Sequence, residues 1–306
     1  MPREGTLPAC SASARPSLSA VAELFKPVTW FPPMWAFACG VVGSGVPIAE
    51  HPGLVVVGLL LAGPLVCATS QAVNDWFDRG VDAINEPHRP IPSGRMPGRW
   101  GLRIAVLWTL ASLLVATALG RVGFAAAAAG LALAWAYSAP PLRLKRNGWW
   151  GNLACGACYE GLAWITGAAV MAAGAMPGLG TFALAALYSA GAHGIMTLND
   201  FKAIEGDRRM GIRSLPVQLG VTGAARVACL VMALPQVAVI ALLAHWQRPW
   251  HALAVAALLA GQASMMKRFL AAPRERALWY SGFGVPLFVS GMMVAAFALR
   301  SVASGS

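Results

Sequence analysis

Acidic side chains are concentrated in two short stretches of this chain. The sequence holds twelve Asp and Glu residues among 306, and seven of them lie close together. The clustered residues are Asp75, Asp78, Asp82 and Glu86 in the first stretch, and Asp200, Glu205 and Asp207 in the second. Carboxylates crowded this closely repel one another unless a cation neutralises them, so both stretches indicate cation binding.

The first stretch places its carboxylates on one face of a helix. At 3.6 residues per turn, Asp75, Asp78 and Asp82 fall within about 60° of one another. Asn74 lies one turn before Asp78 and adds an amide oxygen to this face. Ligation by oxygen atoms alone favours Mg²⁺ that is shared with substrate phosphates. The stretch therefore predicts a magnesium site built from these four side chains.

The second stretch opens, like the first, with an Asn-Asp pair. Asn199 precedes Asp200, and Asp207 follows after seven residues, which is two helical turns. We expect Asp200, Glu205 and Asp207 to complete the metal site. The alternative is that these carboxylates cap helices or face water, but one capped helix accounts for a single Asp and not for two repeated openings.

Long apolar segments must position both stretches. The chain is 58% hydrophobic and 11% charged, with a mean hydropathy of +0.62, which exceeds that of an ordinary soluble domain. Nine apolar runs lie near residues 28–49, 53–73, 101–120, 122–138, 149–172, 178–198, 224–245, 249–270 and 278–299. Each is close to the roughly 20 residues that cross a bilayer. Because lipid cannot hydrogen-bond a bare backbone, the runs predict an all-α membrane protein, a bundle of about nine transmembrane helices.

The basic residues predict the orientation of this bundle. All Lys and Arg residues except Arg121, Arg248 and Arg300 lie in the N-terminal tail, in every second loop beginning with the loop after the second run, or at the adjoining helix ends. The positive-inside rule places that side, with the N-terminus, in the cytoplasm. The net charge of +11 is thus largely a topology signal. No nucleic-acid-binding motif competes with this interpretation.

We expect one membrane domain between two short tails. Residues 1–17 lack the apolar core of a signal peptide and predict a disordered tail. Residues 18–27 predict a short interfacial helix that ends where Pro27 turns the chain into the membrane. The transmembrane domain is expected to cover 18–300, and 301–306 form a C-terminal tail.

Both acidic stretches carry a family resemblance. The motif NDxxDxxxD at 74–82 resembles the first signature of the UbiA superfamily of intramembrane prenyltransferases. Its continuation NEPHRPIPSG at 85–94 is similar to the chlorophyll and bacteriochlorophyll synthases of that superfamily, as is the second stretch, NDFKAIEGDR at 199–208. The segments TWFPPMW at 29–35 and CYEG at 158–161 favour the bacteriochlorophyll branch.

This resemblance implies a specific reaction. A prenyl diphosphate, with a geranylgeranyl or phytyl chain, would donate its prenyl group with the help of Mg²⁺. The acceptor would be the propionate carboxylate of a chlorophyllide or bacteriochlorophyllide, in the last stage of pigment synthesis in the inner, intracytoplasmic membrane of a bacterium. A carboxylate is already ionised at neutral pH because its pKa lies near ~4, so no acid or base residue is assigned.

One position departs from the superfamily pattern. Relatives commonly carry an Asp four residues before the last Asp of the second motif, where this chain has Ala203. Asp200 or Glu205 would then supply the additional carboxylate. An unbroken helix favours Asp200, whereas a turn loosened at Gly206 would bring Glu205 round.

Basic residues near the motifs are candidates for binding the diphosphate. The loop 137–146 carries three cations behind a Pro-Pro pair, although topology alone would also make it basic. The resemblance implies that a Tyr and a basic residue of this loop face the diphosphate. The predicted diphosphate-binding residues are Arg89, Arg95, Tyr137, Arg143, Lys145 and Lys202.

Four residues are candidates for the acceptor pocket: Phe31, Tyr159, Glu160 and His193. Glu160 is ionisable at membrane depth, which marks it as functional by default, although a protonated structural Glu fits as well. His193 lies two turns before Asp200 and could face the cavity or ligate the metal of a tetrapyrrole. The alternative for His193 is a satisfied core histidine.

Two other functions stay open on the sequence. A related prenyltransferase could act on a quinone precursor or haem, where the nucleophilic atom of the acceptor would differ. A cation-coupled transporter could also combine nine helices with carboxylates. Transporters usually place ionisable groups near the bilayer midplane within broken helices, whereas these stretches lie at the predicted membrane boundary.

Overall fold

The regular elements of the chain are helices. The computed structural model describes residues 15–303, and within that range the only β-type pairing is an isolated bridge between Asn147 and Arg213. The α-helices are α1 (Leu18–Phe25), α2 (Phe31–Gly43), α3 (Pro52–Leu60), α4 (Ala68–Asn85), α5 (Trp100–Ala116), α6 (Gly120–Ser138), α7 (Gly148–Gly156), α8 (Ala163–Met171), α9 (Leu179–Asp200), α10 (Ile204–Arg209), α11 (Leu215–His245), α12 (Pro249–Ala271) and α13 (Pro273–Ala303). The predicted tails fall mostly in 1–14 and 304–306, outside the described residues.

Seven helical segments of the described residues are long and apolar enough to cross a membrane. They are Pro52–Ile84, Trp100–Ser138, Gly148–Met171, Leu179–Asp200, Leu215–His245, Pro249–Ala271 and Pro273–Val302. The predicted all-α membrane fold is therefore confirmed at this level.

Three of the nine predicted runs have a different form. The run at 28–49 contains α2, which is only 13 residues long. The runs at 101–120 and 122–138 form one apolar segment that breaks into α5 and α6 at Gly120, where φ is +73°. Only glycine adopts this conformation at little cost, so the break is encoded locally.

Two helices contain a π-helical turn. Leu61–Cys67 joins α3 to α4, and Ala157–Leu162 joins α7 to α8. Pro64 lies within the first turn, and its carbonyl oxygen accepts a hydrogen bond from Trp108 Nε1 at 3.0 Å. The turn Leu61–Cys67 leads directly into α4, so the helix continues from the second apolar run as far as Asn85. The first acidic stretch lies on the C-terminal part of α4.

Close packing of α2 against α8 forms the centre of the bundle. A Cβ atom added at Gly40 would lie 2.0 Å from the carbonyl oxygen of Trp164, and one at Gly167 would lie 2.1 Å from that of Phe37. Small residues let membrane helices approach at this distance. The buried Trp164 ring stacks on Tyr188 of α9 at 5.8 Å between centroids, which joins this pair to the rest of the core.

The N-terminal helix α1 packs on the same end of the bundle as the first acidic stretch. Ser17 caps it by accepting a hydrogen bond from the Ala20 backbone N–H at 3.2 Å. Leu24 and Phe25 are buried, and the Phe25 ring lies 4.5 Å from that of Trp108. A helix therefore forms at the predicted position 18–27, packed against α4 and α5.

Candidate active site

Asp75 and Asp82 of α4 share one arginine. Arg89 Nη1 donates to Asp82 Oδ2 at 2.9 Å and lies 3.6 Å from Asp75 Oδ1. Both carboxylates are buried, and Asp75 is only 1% exposed. Burial alone would lower the pKa of Arg89, but the charges of Asp82 and Asp75 outweigh that effect and raise it. Arg89 therefore remains a cation against these two side chains.

Asp78 pairs with a second group of cations, which come from the loop after α6. Lys145 Nζ lies 2.6 Å from Asp78 Oδ2, and Arg143 Nη2 lies 3.3 Å from Asp78 Oδ1. Lys145 Nζ also donates to Asn74 Oδ1 at 3.1 Å, as does Ser138 Oγ at 3.3 Å. The structure thus brings two predicted metal ligands together with two predicted diphosphate-binding residues: Asn74 and Asp78 with Arg143 and Lys145. The offset of about 60° along α4 divides the carboxylates between two groups of cations.

Burial perturbs the Lys145 ammonium. Desolvation lowers the pKa of Lys145, and the nearby Asp78 carboxylate opposes that shift without cancelling it. An ammonium held in a partly desolvated place attracts anions more strongly than one in water. Lys145 is therefore suited to bind an anionic group beside Asp78.

The second acidic stretch does not form one helix. α9 ends at Asp200, and α10 begins at Ile204 after a break in which Ala203 has φ −104° and ψ 0°. The expectation that Asp200 and Asp207 share a face of an unbroken helix is therefore wrong. Asp207 nevertheless acts electrostatically on Asp200. Burial raises the pKa of Asp207, as it does for carboxylates removed from water.

Glu205 points away from the cluster. Its side chain is 69% exposed, and its Oε1 atom lies 3.6 Å from Arg274 Nη2 and 3.9 Å from Arg208 Nη1. Gly206 does not bring Glu205 round towards Asp200. Of the two residues that could replace the missing carboxylate at Ala203, Asp200 is the better placed.

Two carboxylate oxygens are left without a hydrogen-bond partner. Asp75 Oδ2 and Asp200 Oδ2 are both buried and unpaired, although the Asn152 side chain and the Leu215 backbone N–H interact with the Asp200 carboxylate. A buried carboxylate oxygen without a partner is costly. Within residues 15–303, no three His, Cys, Asp or Glu side chains form a ready-made metal cluster. The oxygen-only donor set and these two free oxygens nevertheless fit a hard divalent cation.

Two of the predicted diphosphate-binding residues lie apart from this cluster. Arg95 forms a bidentate pair with Glu23 of α1, at 2.6 and 2.9 Å, on the surface. Lys202 is exposed in the break between α9 and α10. Tyr137 does lie at the cluster, since Lys145 Nζ is 5.9 Å from the centroid of its ring.

An apolar cavity of about 230 Å³ begins at this cluster and runs into the bundle. Asn74, Tyr137 and Gln71 line it at one end, whereas Ala127 and Thr166 are among the lining residues further along α6 and α8. Both π-helical turns contribute to its wall. Such turns widen a helix locally and often occur at functional sites.

Only one predicted acceptor-pocket residue lines this cavity. Tyr159 does so, and its hydroxyl accepts a hydrogen bond from Gln71 Nε2 at 3.1 Å. Glu160 is buried behind it, on the π-helical turn. His193 is buried against Trp149, with ring centroids 5.6 Å apart, and Phe31 is 57% exposed and stacks on Trp35.

Three polar residues at the site were not predicted. Lys26 donates to Asp75 at 2.5 Å, Ser138 contacts Asn74, and Gln71 holds Tyr159. Gln71 lies one turn before Asp75 on α4, and this helical spacing could have predicted that Gln71 belongs to the same face. Lys26 is 49 residues from its partner, and only the packing of α1 brings the two together.

Comparison with known proteins places the chain in a family. Residues 29–299 match the UbiA prenyltransferase family. The chain is 58% identical to the bacteriochlorophyll synthase 33 kDa chain of Rhodobacter capsulatus, over 93% of this chain and 94% of that protein. It is 38% identical to the chloroplastic chlorophyll synthase of Oryza sativa, over 90% of this chain and 75% of that protein.

The fold has a counterpart among solved structures. A UbiA homologue from Archaeoglobus fulgidus bound to GPP and Mg²⁺ is similar, with a TM-score of 0.64 over 94% of this chain and 98% of that one. Its 20% identity makes this a likeness of fold alone. The matched family region, the two relatives and the shared fold agree with the resemblance of the acidic motifs, and the chain therefore belongs to the UbiA prenyltransferase family.

Proposed function

We propose that this protein esterifies the propionate carboxylate of bacteriochlorophyllide with a geranylgeranyl or phytyl group, releasing diphosphate. The single observation that carries the choice of acceptor is the 58% identity, over nearly the full length of both chains, to a bacteriochlorophyll synthase. Identity to the chlorophyll synthase of Oryza sativa is lower, at 38%. Chlorophyllide is therefore the second acceptor to test, and quinone precursors or haem come after it.

Mg²⁺ fits the carboxylates that lie near the end of the cavity lined by Asn74. Asn74, Asp75, Asp78 and Asp82 of α4 would hold it together with Asp200 and Asp207, while Glu205 is the weakest candidate because of its exposure. When bound, Mg²⁺ would neutralise charge that develops on the departing diphosphate. The homologue from Archaeoglobus fulgidus that was solved with GPP and Mg²⁺ supports this assignment.

The cations now paired with these carboxylates would receive the diphosphate. Lys145, Arg143 and Arg89 already lie within hydrogen-bonding distance of Asp78 or Asp82, so each is positioned at the place where the leaving anion would develop. Preorganised donors of this kind stabilise charge in the transition state more than in the ground state. Tyr137 would complete this wall, and Lys202 and Arg95 would act only from its rim.

The prenyl chain would occupy the apolar cavity. Alanine, glycine and aliphatic residues form most of its wall, and its polar groups lie mainly at the end next to Asn74 and Tyr137. This arrangement would direct the diphosphate to the cations and the hydrocarbon into the bundle. The apolar lining of the cavity would also exclude water, which is a competing nucleophile for the reactive carbon.

The acceptor needs no general base. An ionised propionate oxygen would attack the carbon that carries the diphosphate, the carbon–oxygen bond to the diphosphate would break, and the diphosphate would keep the bonding electron pair. Of the proposed acceptor-pocket residues, Tyr159 is the one in contact with the cavity, and Gln71 fixes its hydroxyl. The other three candidates do not line the cavity and would act only from behind or beside its wall; they are Glu160, His193 and Phe31.

We also propose nine transmembrane segments with the N-terminus in the cytoplasm of a bacterium. The short helix α2 and the break at Gly120 support nine segments, since they add two to the seven long ones. The concentration of Lys and Arg on one side supports the orientation. The acidic cluster would then face the cytoplasm from the inner, intracytoplasmic membrane, within one domain covering 18–300.

Parallel incubations would test this function. Membranes containing the protein are supplied with bacteriochlorophyllide or chlorophyllide, each with geranylgeranyl or phytyl diphosphate, and the pigments are separated by chromatography. We expect esterified bacteriochlorophyllide to accumulate fastest. An absence of ester with all four pairs, or a prenylated ring carbon in its place, would refute the proposal.

A further inference from the structure

Lys26 occupies the same relation to Asp75 as Lys145 does to Asp78. Lys26 Nζ lies 2.5 Å from Asp75 Oδ1, and Lys145 Nζ lies 2.6 Å from Asp78 Oδ2. The side chain of Asp75 is 2% exposed and that of Asp78 is 18% exposed, so both carboxylates are largely shielded from water. Lys26 comes shortly before residue 29, where the match to the family begins.

The backbone at Lys26 is held in an unusual conformation. Its φ of 46° and ψ of 67° lie in the left-handed region, which a long side chain seldom adopts. The Lys26 N–H donates to Glu23 O at 3.2 Å, and Thr29 Oγ1 donates to Lys26 O at 2.9 Å. Such strain persists only where the surroundings fix it, and it is frequent at functional sites.

The helix that carries Lys26 is firmly anchored. Leu24 and Phe25 are buried in the cluster formed with α4 and α5, and Trp30 Nε1 donates to Phe25 O at 2.9 Å on the far side of Lys26. The Glu23–Arg95 pair ties α1 to the loop after α4. Lys26 is therefore aimed at the acidic cluster by the fold and does not reach it as a loose surface side chain.

The partner of Lys26 has one oxygen left over. Asp75 Oδ1 is the atom that Lys26 and Arg89 approach, while Asp75 Oδ2 is buried without a partner. A cation bound at Asp75 would bring its diphosphate within reach of an ammonium 2.5 Å from the same carboxylate. The four-carbon stem of lysine allows its ammonium to move from one acceptor to the other.

We propose that Lys26 binds the diphosphate of the donor, as a cation supplied by the N-terminal segment that carries α1. It neutralises Asp75 before the donor arrives and then exchanges that carboxylate for a diphosphate oxygen. Lys26 would join Arg89, Arg143 and Lys145, so that cations approach the diphosphate from both sides of α4. This inference rests on the proposed prenyl transfer and adds a residue to its donor site.

The test measures binding of inorganic diphosphate to the purified full chain. Isothermal titration calorimetry is carried out in detergent with saturating Mg²⁺, on the wild type and on Lys26→Met, Lys26→Gln and Lys26→Arg. Arg15→Gln is the matched control because Arg15 is an exposed cation of the same N-terminal segment. Thermal unfolding of each variant is recorded in the same buffer.

A charge-assisted hydrogen bond of this kind predicts about a tenfold or larger rise in Kd for Lys26→Met and Lys26→Gln. Lys26→Arg and Arg15→Gln should stay within about threefold of wild type. An unchanged Kd for diphosphate in Lys26→Met and Lys26→Gln would overturn the proposal. So would an equal loss in Lys26→Arg together with a lower Tm, because that pattern shows a purely structural role. If the wild type binds diphosphate but makes no esterified pigment, the proposed function fails while this inference stands.

Discussion

Lys145 Nζ lies 2.6 Å from Asp78 Oδ2 and joins the loop after α6 to the acidic face of α4. The two residues are far apart in sequence, and their contact lies beside Asn74, which lines the apolar cavity. Asn74 is bound to the same ammonium at 3.1 Å. The pair therefore lies next to the end of the cavity where we propose that the diphosphate binds.

Removal of the Asp78 carboxylate should abolish prenyl transfer. Asp78→Ala takes away a partly buried metal-ligand candidate and leaves Lys145 and Arg143 without their counter-charge. We expect kcat to fall by about 100-fold or more, the usual cost of losing one preorganised electrostatic group. The measurement is ester formation by purified protein at saturating donor and Mg²⁺.

Glu205→Gln is the control for that substitution. Glu205 belongs to the second acidic stretch, but it is exposed and pairs only with surface arginines. Its activity should stay within about threefold of wild type. A larger loss in Glu205→Gln than in Asp78→Ala would contradict the placement of the site around α4.

Loss of the Lys145 charge should limit activity in alkaline solution. Burial lowers the pKa of Lys145, so its ammonium is lost, as the pH rises, before that of an ordinary lysine with a pKa near about 10.4. The facing groups are Asp78, Asn74, Ser138, Arg143 and the Tyr137 ring.

A pH profile of kcat/KM for the prenyl diphosphate checks this expectation. Lys145→Arg should move the alkaline limb to higher pH because the guanidinium stays protonated throughout. An alkaline limb that is identical in wild type and Lys145→Arg would assign the titration to another group.

A larger side chain at Ala127 should make the protein prefer a donor with a shorter prenyl chain. Ala127 is buried on α6 and lines the apolar part of the cavity, away from Asn74. Ala127→Leu should raise the KM for geranylgeranyl diphosphate and favour geranyl diphosphate in a competition assay. Ala129→Leu is the control, because Ala129 is exposed on the same helix. Equal donor preference in both variants would show that the hydrocarbon lies elsewhere.

A methyl group at Gly40 should destabilise the bundle. Its Cβ atom would lie 2.0 Å from the backbone oxygen of Trp164, so α2 and α8 would have to separate. We expect Gly40→Ala to cost about 1–3 kcal/mol, the range for overpacking, and to lower Tm in detergent. Gly282→Ala, at a helical position with nothing within 4 Å, should leave Tm unchanged or raise it. A Tm for Gly40→Ala equal to that of Gly282→Ala would contradict this packing.

Local patterns predicted the helix that carries the first acidic stretch. The helical period places Asp75, Asp78 and Asp82 close together, and α4 bears this out because its intrahelical geometry depends on nothing distant. The basic loop at 137–146 contributes Arg143 and Lys145 to Asp78. The membrane character follows from composition alone, since apolar runs of this length have few other solutions.

Long-range packing determines what could not be predicted. No Gly or Pro lies between Asp200 and Ile204, so the break that separates Asp200 from Asp207 has no local signal. Arg95 is close to the first motif in sequence, but α1 packs nearby and offers Glu23 instead.

An isotope-tracing experiment shows whether the propionate carboxylate attacks the prenyl carbon. Bacteriochlorophyllide with both propionate oxygens replaced by a heavy oxygen isotope is incubated with geranylgeranyl diphosphate, Mg²⁺ and purified protein, and the ester is analysed by mass spectrometry. If the carboxylate attacks the prenyl carbon, both heavy atoms remain in the ester and the released diphosphate keeps its own oxygen. Loss of one heavy atom from the ester, or the absence of any ester, would contradict the account.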